Sequence, residues 1–226
     1  LIGGMSWAST ELYYRYINRE VQKVAGGMHS APMSMESLDF QNICHLQADG
    51  DWDGATTVVS EAAKRLEQGG ATAIIICANI MHKIYDEVAA AVSVPILHIA
   101  DCIGEQMIAD GRTKAALIGT HNVMTEPFFR QRLVGHGITL LPPNMDRADE
   151  VDRIIYEELM IGKITRDSER TMKTFLTNIA KEDVDSVVLA STELVMLVKP
   201  DANVLPIYDS TRIHAAAAVK WVLGED

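Results

Sequence analysis

Short apolar runs alternate with longer amphipathic stretches along this chain. The runs fall at residues 1–4, 32–38, 72–77, 95–99, 114–119, 138–141, 185–190 and 205–208. Their lengths are those of strands. Between them lie helical patterns such as 9–26, 53–70 and 210–224, the second ending in Gly69-Gly70. A glycine at that place commonly terminates a helix. Alternation of this kind predicts an α/β fold with mainly parallel sheets. "AIIIC" (73–77) has no polar–apolar alternation, as expected of a strand covered on both faces.

The pattern also repeats at long range. "LIGGMSW" (1–7) resembles "ALIGTHNVM" (116–124), "AIIICANIMH" (73–82) resembles "SVVLASTEL" (186–194), and "VPILHIAD" (94–101) resembles "VLPIYDS" (204–210). The order is the same in both halves. Two pseudo-symmetric Rossmann-like α/β domains are expected, facing each other across a cleft that holds the site. The first is expected over 1–98 plus 206–226, with the last helix returning to it, and the second over 99–205.

Charge narrows the partners. Twenty basic and 31 acidic residues give a net charge of −11, which opposes nucleic-acid binding. No apolar run reaches the ~20 residues of a membrane span. Three cysteines suit a reducing, cytoplasmic setting rather than a disulfide framework. The chain opens inside an apolar run, so strand residues are expected ahead of Leu1. No His/Cys/Asp cluster has metal-site spacing, and Gly3-Gly4 fits neither the dinucleotide fingerprint nor the P-loop.

In parallel sheets, ligands bind beyond the carboxyl ends of the strands. Gly3-Gly4-Met5-Ser6, Cys77-Ala78-Asn79, Gly119-Thr120 and Ser191-Thr192-Glu193 all stand at such ends. Groups on opposite faces of a carbon centre can remove a proton from one side and return it to the other. Thiols suit this task because a thiolate forms at accessible pH. Cys77 is read as one such group and Ser191 as the residue opposite it. A simpler reading makes Cys77 a small buried residue at a strand end. Cys44 and Cys102 are read as structural thiols and His82 as a helix-starting residue. His98 and Asp101 are read as a hydrogen-bonded pair at the domain join. The run Arg166, Asp167, Glu169, Arg170 reads as a solvated helix face.

The segments "IGGMSWAST" (2–10), "HSAPMSMESLDF" (29–40), "CANIMHK" (77–83), "PILHIAD" (95–101), "LIGT" (117–120), "IIYEELMIGKIT" (154–165) and "STEL" (191–194) resemble the aspartate/glutamate racemase family. These are two-cysteine amino-acid racemases that need no cofactor. The resemblance spans essentially the whole chain. It implies two α/β domains with the site between them, homodimers, a small acidic amino acid or dicarboxylate as ligand, and neither pyridoxal phosphate nor metal. Carried over, Cys77 matches the first catalytic cysteine and Asn79 a carboxylate contact. Met5 and Ser6 match the loop lining the site, and Gln47 a polar substrate contact. Thr120, Thr192 and Glu193 match the loops of the second half. Lys163 is a candidate for reaching an acidic substrate, against the simpler reading of a solvated lysine.

The chain departs from that pattern at the second cysteine, where Ser191 stands, preceded by Ala190 rather than Gly. Ala78 and Ile80 also replace polar residues of the first loop. A serine is a weaker acid than a thiol by roughly five pK units, so an alkoxide costs an extra ~7 kcal/mol. The expectation is α-proton transfer on an acidic amino acid, one-sided or impaired at Ser191. The alternatives are a non-catalytic dicarboxylate-binding protein and a single-cysteine lyase or decarboxylase.

Overall fold

The computed structural model describes residues 1–224. Among the described residues, eight strands form where the apolar runs predict them: β1 (Ile2–Gly3), β2 (Glu36–Ser37), β3 (Ile74–Ile75), β4 (Ile96–Leu97), β5 (Lys114–Gly119), β6 (Thr139–Leu140), β7 (Ser186–Ala190) and β8 (Ile207–Asp209). The chain divides into two compact units. One is Leu1–Ile99 with the segment from His214 onward, and the other is Ala100–Ile213.

In the first unit β1 pairs with β2 and β3 with β4, both in parallel. A parallel bridge between Ile2 and Ile76 joins the pairs, and the Cys77 N–H donates to the Ile2 carbonyl at 2.9 Å. The strand order is therefore β2-β1-β3-β4. Helix Trp7–Ala25 packs on this sheet through Tyr13, Ile17 and Val21, spaced four apart on one face. They meet Ile75, Cys77, Ala215 and Val219 in one buried cluster. Each isoleucine or valine among them contributes about 1.5–3 kcal/mol when taken from water.

The second unit has the parallel order β6-β5-β7-β8. Within each unit the first strand is flanked by the second and third, and the fourth lies outside the third. The sequence repeat is thus a repeat of topology. All five residues of β7 are buried, as the unbroken apolar run requires of a strand covered on both faces.

The boundary differs from expectation at the C-terminal end. Residues 206–213 fall with the second unit, because Ile207–Asp209 pair with β7. The division lies within helix Ser210–Leu223, between residues 213 and 214.

Candidate active site

In the first unit the chain leaves β1 through Gly4, at φ 88°. A Cβ built there would lie 2.1 Å from the Leu38 carbonyl oxygen, so only glycine fits this turn. The next residues, Met5 and Ser6, are buried. Ser6 caps helix Trp7–Ala25, its Oγ accepting from the Ser9 N–H at 3.4 Å. Thr10 fastens the loop. Its Oγ1 donates to the Ser6 carbonyl at 2.7 Å and accepts from the Gly4 N–H at 2.9 Å.

Beyond β3 the structure separates Cys77 from the role expected of it. Successive residues of a strand point to opposite faces. Cys77 shares the face of Ile75 and lies in the cluster of Tyr13, Ile17 and Val219. It is fully buried, and burial pushes its thiol up to about 12. The strand register agrees. Ile2-Gly3-Gly4 corresponds in the repeat to Ile118-Gly119-Thr120. Ile2 bridges to Ile76, and Ile118 pairs with Leu189. Two residues beyond Ile76 is Ala78, and two beyond Leu189 is Ser191. The repeat partner of Ser191 is therefore Ala78, and that of Cys77 is Ala190. This placement opposes an acid/base role for Cys77.

Asn79, buried, follows Ala78 and leads into a short 3₁₀ helix, Ile80–Ile84. Gln47, half-buried on helix Phe40–Ala48, reaches the same turn, its Nε2 donating to the Met81 Sδ at 3.2 Å. His82 is buried within that turn, and its Nε2 lies 3.2 Å from the Ile76 carbonyl oxygen. It packs against His98 and His214, with ring centroids 4.4 and 5.7 Å away. His214 Nε2 lies 3.0 Å from the Leu97 carbonyl oxygen, and its Nδ1 lies 3.0 Å from the Tyr13 hydroxyl. A carbonyl only accepts, so Nε2 carries the proton and Nδ1 accepts from Tyr13. Burial lowers the His214 imidazole to about 4, so it is neutral at pH 7. Sequence reasoning named His82 and His98 separately and missed His214, whose one signal was its place in the apolar stretch "STRIHAAAAV" (210–219).

In the second unit β5 and β7 approach closely at their carboxyl ends. A Cβ on Gly119 would lie 2.5 Å from the Ala190 carbonyl oxygen. Thr120 follows, with its hydroxyl buried and without a hydrogen-bond partner among the described residues. Leaving such a group unpaired costs about 1–3 kcal/mol. Beyond β7, Ser191, Thr192 and Glu193 are all at most 4% exposed. The Leu194 N–H donates to the Ser191 carbonyl at 3.2 Å. This turn folds the Glu193 side chain back onto its neighbours. Ser191 Oγ donates to Glu193 Oε2 at 2.8 Å, and Thr192 Oγ1 donates to the same oxygen at 3.1 Å. Thr211 Oγ1 donates to the Thr192 carbonyl at 3.3 Å. The Thr211 N–H is in turn held by Asp209 Oδ1 at 2.9 Å. The roles of Asp209 and Thr211 were not legible in the sequence.

The remaining expectations divide. Lys163 is exposed on the turn after Leu159–Ile161. Asp101 accepts from Arg132 at 2.6 Å and lies 3.2 Å from His136 Nε2, both within the second unit. Cys44 and Cys102 are of intermediate burial and form no disulfide among the described residues. Arg166, Asp167, Glu169 and Arg170 are exposed on helix Arg166–Ile179. No group of three or more His, Cys, Asp or Glu side chains among the described residues could hold a metal ion. No helix among them is long and apolar enough to cross a membrane.

The Asp/Glu/hydantoin racemase profile matches residues 2–218. The chain belongs to that family. It is similar over 98% of its length to a crystal structure described as a candidate Asp/Glu racemase from Yersinia pestis, at 41% identity and a TM-score of 0.89, covering 97% of that chain. An aspartate racemase homologue from Pyrococcus horikoshii OT3 is 28% identical, with a TM-score of 0.81 and coverage of 98% and 97%. A broad-specificity amino-acid racemase, RacX, from Bacillus subtilis (strain 168) is 23% identical over 173 residues, 76% of this chain and 74% of that protein. Within this racemase family the chain carries alanine and serine at the two equivalent strand-end positions.

Proposed function

We propose that this protein acts on an acidic amino acid by α-proton transfer at one face of the α-carbon, without efficient inversion. The observation that carries this reading is the pairing of Ala78 with Ser191 across the repeat. A methyl group can neither accept nor deliver a proton, so the first unit contributes no acid or base at that position. The second unit contributes a hydroxyl coupled to a carboxylate. Cys77 has a structural role in this reading.

The strand-end loops act as the carboxylate-binding elements. Asn79, Ser6 and Gln47 are the candidates in the first unit, and Thr120 and the Thr192 main-chain N–H are those in the second. The unpartnered Thr120 hydroxyl supports this role, because a ligand oxygen would relieve its cost. Lys163, exposed on its turn, attracts the acidic ligand from solvent.

The test follows the α-proton by NMR in D₂O, with D- and L-aspartate and D- and L-glutamate supplied separately. The expected result is deuterium incorporation into one enantiomer with its configuration retained. Fast incorporation from both enantiomers with inversion would contradict it. Binding without incorporation from any of the four would establish a dicarboxylate-binding protein, the reading that apolar Ala78 and Ile80 favour.

A further inference from the structure

Ser191 alone is a poor base, because an isolated alkoxide costs several kcal/mol more than a thiolate. The buried contact at the end of β7 removes that obstacle. Ser191 Oγ already donates its proton to Glu193 Oε2, at 2.8 Å. Thr192 Oγ1 binds the same oxygen at 3.1 Å and fixes the carboxylate through a second hydroxyl. Both residues sit on the turn closed by the bond from the Leu194 N–H to the Ser191 carbonyl. The separation and direction are those of a general base poised on a hydroxyl.

We infer that Glu193, acting through Ser191, is the base that moves the substrate's α-proton. The inference rests on the α-proton-transfer reading above. In the forward step the Cα–H bond breaks and its proton bonds to Ser191 Oγ. The proton already on Oγ passes to Glu193 Oε2. The electron pair of the broken bond stays on the substrate as a carbanion conjugated with its α-carboxylate. Return runs the same relay backwards, with a deuteron in D₂O. Charge never rests on the serine oxygen, so the alkoxide penalty does not arise. Thr192 is a positioning residue, holding the carboxylate in line with Ser191.

The test compares deuterium incorporation into the responsive enantiomer by the full chain and four variants. Glu193→Gln and Ser191→Ala are each expected to lose at least 100-fold, the low end of what a general base contributes. Ser191→Cys is expected to be active and, unlike the parent, indifferent to Glu193. Ser191→Cys/Glu193→Gln should stay within about tenfold of Ser191→Cys. A merely structural Glu193 would lower both backgrounds alike. Circular dichroism checks that each variant folds. If Glu193→Gln does not fold, Ser191→Ala and the Ser191→Cys pair decide. Incorporation by the parent chain with less than a 100-fold loss in folded Glu193→Gln and Ser191→Ala overturns the inference and leaves α-proton transfer standing. No incorporation by the parent chain overturns both.

Discussion

Single residues decide what this site can do. A thiol in the motif "CANIMHK" (77–83) suggests an acid/base, yet one step of register turns it into a core residue. Ala78 takes the equivalent place in the repeat, and a methyl group carries no acid or base. Burial acts similarly on His214. Its folded-state imidazole lies near 4 rather than 6.5, because the charged form would lose its hydration. The unfolded chain therefore binds a proton between pH 6.5 and 4 that the folded chain refuses. The stability this gives is present above pH 6.5 and lost as the pH falls through that window, by about 3 kcal/mol. Urea unfolding from pH 7 to 4 is expected to show that decline. His214→Gln is expected to flatten it, and an unchanged slope would remove His214 as its cause.

At the level of elements, the apolar runs located all eight strands, and the Ile-Gly correspondence revealed the repeat. What they could not reveal was which face each residue takes. A strand buried on both sides shows no period-2 pattern, so "AIIIC" gave no sign that Cys77 shares the side of Ile75. The boundary at 206 was misplaced for a related reason. The run before the last helix reads as a strand of either unit, and only its pairing with β7 assigns it. The Glu193 side chain's return to Ser191 depends on a turn with no sequence signature. The strand-to-helix loop of the first unit was legible, and its glycine can be tested. Gly4→Ala puts a methyl group against the Leu38 carbonyl at positive φ, and is expected to destabilise the fold by about 2 kcal/mol or more. An unchanged denaturation midpoint would contradict this placement of the loop.

In the whole molecule, the two units repeat one topology but not one chemistry. The order β2-β1-β3-β4 recurs as β6-β5-β7-β8, and glycine permits close approach at the end of each opening strand. The chemical content is asymmetric: alanine ends one strand, and a serine joined to a buried glutamate ends the other. The proposal of one-sided exchange rests on that asymmetry. The most direct measurement of this account is α-proton exchange in D₂O by Cys77→Ala, set against the unaltered chain with the responsive enantiomer. The expected result is a protein about 1 kcal/mol less stable that still incorporates deuterium at a rate within a few-fold of the parent chain. A folded Cys77→Ala that no longer incorporates deuterium would contradict the account and return the chemistry to the thiol.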